Sequence, residues 1–259
     1  MPALVFFGAV VLPIALWFWF IRFEDRSEPE PGRLMRRCFY LAITAGVAAG
    51  ILEYTVFRGL GLPDDILSIG STGAPLGLMA LVVLLVGPIE ELAKYIVIRA
   101  NVYVSHDFNQ VFDGIVYGVT VALGFSFIEN VFYFIDLYTT QSAYVFVAST
   151  IFRGLFTTLG HVTFTGVMGY YVGRAKFSTN NRTRILVTGV VYAALLHAAF
   201  DFIVGAPIPY AAPIAAILVI GCFVVFMRLW QRPDVRMVWK YTPAPATSPQ
   251  NTLSNPPGH

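Results

Sequence analysis

The sequence predicts an all-α, polytopic membrane protein of about seven helical spans, and three observations predict it. Charged residues make up 12% of the 259 residues and hydrophobic residues 57%, whereas a soluble domain carries about 25% charged residues. The apolar residues gather into seven runs, 3–21, 38–57, 76–98, 114–137, 144–171, 185–204 and 211–229. About 20 residues of helix cross a hydrocarbon core of ~30 Å, and transmembrane strands would instead show short alternating segments. Finally, the basic residues alternate between connections. Arg22, Arg26, Arg33, Arg36 and Arg37 follow the first run, Arg58 alone the second and Arg99 the third. None follows the fourth or sixth, while Arg174, Lys176, Arg182 and Arg184 follow the fifth and Arg228, Arg232, Arg236 and Lys240 close the last. Cytoplasmic loops carry the excess of Lys and Arg, so the N-terminus is expected outside and the C-terminus in the cytoplasm. A missed span would break the alternation.

Taken in order, the first run has no basic flank before it and no small-residue cleavage site, so it is expected to be a retained span. Residues 24–31 are polar and Pro-containing and read as a solvated loop. Cys38 and Cys222 lie in apolar runs, and packing, not a disulfide or a metal site, is expected of both. The fifth run is long enough to tilt or to extend into water. Residues 1–240 are thus expected to form one helical membrane domain with a motif-bearing core at 76–204, and 241–259, rich in Pro, Ser, Thr and Asn, a disordered tail. There is no internal repeat, nucleotide-binding glycine motif or basic patch suited to nucleic acid.

The chain is organised around Gly87-Pro-Ile-Glu90-Glu91-Leu-Ala-Lys94, in the middle of the third run. A carboxylate inside a bilayer costs roughly 2.5–3.5 kcal/mol on insertion scales, and intramembrane charges default to function. On a helix Lys94 reaches Glu90 at i,i+4 or Glu91 at i,i+3, so one carboxylate can be paired while the other keeps its freedom for proton chemistry. Pro88 removes a backbone donor beside them and frees the carbonyl four residues earlier. In the fourth run Gly114, Gly118, Ala122, Phe125 and Glu129 share one helix face, where small residues let another helix approach. Asn130 is set to orient a neighbour, and Asp113 suits a helix N-terminus. Arg153 and His161 lie in the fifth run, with Arg153 expected to snorkel or pair with a glutamate. In the sixth, His197 and Asp201 stand at i,i+4, so the carboxylate could fix the imidazole tautomer. Glu53 is expected to pair with Arg58 or Arg153.

Glu90, Glu91, Glu129, His161, His197 and Asp201 therefore form the candidate site. Carboxylates and imidazoles together suit activation of water by a glutamate base, with a histidine steadying the oxyanion. They equally suit metal binding that acidifies a bound water, or a proton relay in a transporter. No serine or cysteine sits in a recognisable nucleophile setting, which argues against a covalent mechanism.

Glu90-Glu91-Leu-Ala-Lys94 resembles the EExxK motif of the PrsW family of intramembrane proteases. Asp113-Gly114 with Phe127-Ile-Glu129-Asn130, Arg153 through His161, and His197-Ala-Ala-Phe-Asp201 resemble that family's later blocks, in the same order. In the related CAAX prenyl protease and bacteriocin-processing families the second block has the form FxxxH. Here Glu129 follows Phe125 at that spacing, so a histidine role is not carried over. The resemblance implies a peptidase acting on a membrane-anchored protein, such as an anti-sigma factor, within the lipid bilayer, and the lack of an organelle-targeting signal fits a bacterial plasma membrane. It implies that Glu90 and Glu91 are the essential glutamate pair and His197 the essential histidine, with Asp201 its polar partner. Glu129 and His161 are further site members. The resemblance leaves open a divalent metal such as zinc, with His161, His197 and Glu129 as candidate ligands, and a metal-free glutamate mechanism. A proton-coupled transporter and a non-catalytic scaffold are the competing expectations. Substrate and oligomeric state are not legible.

Overall fold

The computed structural model describes residues 2–62 and 75–238. The expected disordered tail, 241–259, lies outside the described residues. Seven helices are long and apolar enough to cross a membrane, and no strand occurs among the described residues. They are α1 (Pro2–Glu24), α2 (Gly32–Leu60), α3 (Leu76–Asn101), α4 (Val111–Thr140), α5 (Ala143–Phe177), α6 (Arg182–Gly205) and α7 (Ala211–Trp230). Each contains one predicted apolar run. Pro88 sits inside α3 without ending it. Helix α5, at 35 residues, is the long span the sequence predicts, and its last turn carries Arg174 and Lys176. Cys38 and Cys222 are both free thiols.

Helix α4 is the hub, buried along most of its length, with α5 and α2 packed against it. Small residues decide how close these helices come. A Cβ on Gly114 or Gly118 would collide with the α5 backbone at Gly169, Gly173 and Thr165, and one on Gly124 would collide with Phe39 of α2. The small face of α4 is thus the face turned to α5, as its four-residue spacing predicts. A similar approach joins α3 to α6. A Cβ on Gly87 would lie 2.7 Å from the Ala194 carbonyl oxygen and 3.1 Å from the Ala198 nitrogen. Residues three and four positions beyond Gly87, and the imidazole beside Ala198, are thereby pressed together.

Two helices carry a π-turn, α1 at Phe7–Val11 and α5 at Arg153–Thr157. The two turns touch where Gly154 meets Ala9, leaving no room for a side chain at 154. Asp113 caps α4 as expected. Its Oδ2 accepts the backbone N–H groups of Asn109 and Gln110, each at 2.7 Å, while the Gln110 side chain completes a capping box.

The first connection departs from the solvated loop expected of it. Asp25 and Glu30 are buried against the N-terminal end of α4. Asp25 Oδ2 accepts the Glu30 backbone N–H at 2.7 Å, the Tyr117 hydroxyl donates to Glu30, and Asn109 and Gln110 side chains donate to Glu28. The short polar segment has enough neighbouring donors to be buried, and alternation of polarity alone does not reveal that. Burial is the main cause that pushes the Asp25 carboxyl up to about 6 and the Glu30 carboxyl up to about 9.

Both groups hold protons in the folded chain at pH values where the unfolded chain has released them. Stability is therefore expected to fall as pH rises, between about 4 and 6 for Asp25 and up to about 9 for Glu30. Glu30→Gln keeps the hydrogen-bond acceptor for Tyr117 and removes the titration. Thermal unfolding in detergent should show wild type weakening between pH 6 and 9 and the variant weakening less over that range.

Candidate active site

Glu90, Glu91 and Lys94 meet on the buried side of α3, with Glu90 6% exposed and the other two fully buried. The Lys94 ammonium lies 2.7 Å from Glu91 Oε1, 3.2 Å from Glu90 Oε2 and 2.9 Å from His161 Nδ1. It also sits 4.3 Å from the centre of the Phe125 ring. One cation thus touches both carboxylates, unequally, where helix spacing alone left a choice between them.

The two glutamates have different surroundings. Glu91 Oε2 accepts from the Thr165 hydroxyl at 2.9 Å, and its Oε1 faces both Lys94 and His197 Nδ1, the latter at 3.0 Å. Each oxygen is satisfied from within the protein. Glu90 instead lines a cavity of about 220 Å³, and its Oε2 is 3.6 Å from His197 Nε2. Asp201 Oδ2 lies 3.5 Å from that same nitrogen. The carboxylate in hydrogen-bond contact with His197 is therefore Glu91, from another helix, and not its i,i+4 neighbour Asp201. With Nδ1–H donated to Glu91, His197 turns Nε2 toward Glu90 and Asp201.

Glu129 is held from α5. Arg153 donates to its Oε1 at 2.6 Å, and His161 Nε2 lies 2.8 Å from its Oε2, off the line of a hydrogen bond. The Arg153 guanidinium also stacks 3.5 Å from the centre of the Tyr133 ring. The π-turn explains how two residues eight positions apart serve one carboxylate. On a regular helix that spacing leaves them about 80° apart. A π-turn absorbs one extra residue, so the pair behaves like a seven-residue spacing and shares a face. Because an ammonium donates, His161 Nδ1 accepts from Lys94, which leaves the ring proton on Nε2, beside Glu129. Below this, Asn130 donates to Ser126 and Thr158, each at 3.1 Å, tying α4 to α5.

The fold thus brings all six candidate residues into one cluster, of which Glu90, Glu129 and Asp201 line the cavity, with the His161 and His197 rings 5.0 Å apart. Three residues escaped the sequence reading. Thr165 has no signal beyond sharing the His161 face, and Tyr133 reads as an ordinary aromatic. Glu53 was visible as an intramembrane charge, but it pairs with neither Arg58 nor Arg153. It lines the cavity, and its Oε1 is buried without a hydrogen-bond partner.

One group among the described residues has metal-ligand dimensions. Donor atoms of Glu90, His161 and His197 all lie within 4.8 Å of one another. Two imidazoles and a carboxylate suit zinc with a position left for water, and Glu91 behind His197 Nδ1 is the outer carboxylate such a histidine uses. Glu90 and His197 Nε2 are free to hold a metal, whereas His161 would join them only on losing its Nε2 proton, since Nδ1 accepts from Lys94. The carboxylate of the group is Glu90, since Glu129 is engaged by Arg153.

A membrane-embedded bundle with buried carboxylates and imidazoles beside a cavity has the parts of an intramembrane hydrolase, and similarity to known proteins gives the class. Residues 30–230 match the PrsW family of intramembrane metalloproteases, and the chain belongs to that family. It is similar to Protease PrsW of Bacillus subtilis, 30% identical over 195 residues, covering 74% of this chain and 79% of that one. Protease PrsW of Clostridioides difficile is 28% identical over 204 residues, 76% of this chain and 78% of that one. Protease PrsW of Oceanobacillus iheyensis is 36% identical over 115 residues, 44% of this chain and 50% of that one. No solved structure matches. The protein is accordingly a peptidase of the bacterial membrane, working on protein within the lipid bilayer.

Breaking a buried ion pair from one side costs about 3–5 kcal/mol, because the remaining charge is uncompensated. Lys94→Met leaves two carboxylates so stranded. It is expected to destabilise the bundle by about that amount, and Glu90→Gln with Glu91→Gln in the same chain should restore most of the loss. Denaturation in mixed micelles reads both.

Proposed function

We propose that the protein hydrolyses a peptide bond of a membrane-anchored protein in this cavity, with Glu90 as general base and Glu91 as the carboxylate that orients His197. The observation that carries this division is the contrast between adjacent glutamates. Glu91 is sealed and fully hydrogen-bonded, whereas Glu90 borders the space a substrate would enter. A base must reach its water, and an orienting group must not move.

The substrate segment lies along the cavity with its scissile carbonyl near Glu90 and His197. Glu90 takes a proton from water, the oxygen adds to the carbonyl carbon, and the C–N bond breaks as that proton passes to the leaving amine. His197 is fixed by Glu91 at Nδ1, so only Nε2 addresses the substrate. Protonated, Nε2 donates to the oxyanion; unprotonated, it is a metal ligand. A metal held there by the two histidines would acidify the water and polarise the carbonyl, with Glu90 beside it as the proton acceptor. Lys94 keeps both glutamates in place and holds His161 through Nδ1, while Arg153 holds Glu129. The connections at the cavity end of α2, α4 and α6 carry Arg58 alone among basic residues, and the charge rule then favours the outer half of the bilayer for the cavity.

Glu90→Gln should abolish cleavage of single-span substrates by purified protein at a stability cost below the roughly 3–5 kcal/mol of a broken buried pair, since Lys94 keeps Glu91 at 2.7 Å. Glu91→Gln should abolish cleavage and destabilise more, by about 3–5 kcal/mol, because it removes the closer partner of Lys94 from a fully buried network. Parallel cleavage and unfolding assays separate the two. Equal stability of both variants, or normal cleavage by either, contradicts the assignment.

A further inference from the structure

We infer that Glu53 is a specificity-determining residue and that the cavity accepts a lysine or arginine side chain of the substrate, beside the scissile bond. The inference rests on the peptidase reading of the site and adds the chemical class of residue it selects.

The cavity wall has an imbalance of donors and acceptors. Glu53, Glu90, Glu129 and Asp201 all line it, and Arg153 is the one basic residue that does. Arg153 is already committed to Glu129 and to the face of Tyr133. Lys94 is fully buried behind the wall and committed to Glu90, Glu91 and His161. Glu53 Oε1 is left buried with no hydrogen-bond partner. Ionised, Glu53 only accepts, and a donating cation is the partner that would hold it ionised beside three other carboxylates. Buried polar atoms are nearly always satisfied, and the exceptions call for a reason.

The rest of the lining narrows the donor. Gly46, Gly50, Phe57 and Val86 form an apolar stretch beside Glu53, and Tyr54 and Phe132 add aromatic faces. Lysine and arginine carry a long apolar stem and a head that only donates. The stem suits the apolar stretch, the aromatic faces suit the cation, and the head suits the carboxylates. A neutral polar side chain would bring no charge to offset the four carboxylates.

The test uses a set of synthetic single-span peptides with identical Leu–Ala membrane segments. They carry one Lys, Arg, Leu or Glu at successive positions across the outer half. Binding is measured to full-length Glu90→Gln protein in nanodiscs, alone and combined with Glu53→Gln or Glu53→Lys, and cleavage is measured with wild type. Lys and Arg peptides at one position should bind at least tenfold more tightly than the Leu peptide. Glu53→Gln should remove that difference, Glu53→Lys should transfer it to the Glu peptide, and wild-type cleavage should follow the same preference. Binding of no peptide, binding without charge preference, or a preference unchanged by Glu53→Gln overturns the inference, and wild-type cleavage without preference does so while leaving the peptidase reading intact. Charge-selective binding that depends on Glu53, with no cleavage by wild type, supports the cavity's selectivity and removes the peptidase reading instead.

Discussion

The structure depends on one buried ammonium. Lys94 is fully enclosed in a membrane-spanning helix, within 3.2 Å of two carboxylates and within 2.9 Å of an imidazole. No isolated charge is stable in such a place. Here the cation and the carboxylates make each other tolerable, and each geometric requirement of the site follows from keeping them together. Such a network contributes little net stability over an apolar core, since desolvation offsets most of the attraction. Its retention makes sense as preorganisation: the groups that would act on a substrate are already fixed before one arrives.

Backbone proximity makes the network possible. Gly87 lets α6 approach α3 until His197 reaches Glu91, and Gly114 and Gly118 let α5 approach α4 until Arg153 and His161 reach Glu129. In lipid, where apolar surface gains nothing by leaving the tails, close packing of small residues and hydrogen bonds across helices are what hold a bundle together. The same contacts thus serve assembly and chemistry. The π-turn at Arg153–Thr157 is the local departure from regularity that lets one helix present two groups to one carboxylate.

Much of this was legible in the sequence, and the boundary of legibility is physical. Spans are read from length and polarity, which the bilayer enforces on every residue of a run. Lys94 with its glutamates, the small face of α4 and the Asp113 cap are all relations within one helix, where spacing fixes geometry. What escaped were relations between helices. His197 has a carboxylate one turn away in Asp201, yet it bonds Glu91, 106 positions distant. Thr165 and Glu53 acquire meaning only once α5 and α2 are set against α3. The buried Asp25 and Glu30 looked solvated because Asp25 is satisfied by the Glu30 backbone and Glu30 by Tyr117 of α4, contacts that polarity does not reveal. The π-turn is invisible to any reading that assumes 100° per residue.

The division of labour between the two glutamates is the central claim, and chemical rescue tests it most directly. Glu90→Ala would open a carboxylate-sized gap on the cavity wall, whereas Glu91→Ala would leave its gap sealed inside the bundle. Formate added to the purified variants, with cleavage of a single-span substrate as readout, should restore activity to Glu90→Ala in a concentration-dependent way and leave Glu91→Ala inactive. Rescue of Glu91→Ala alone would contradict the account and assign the base to the other glutamate.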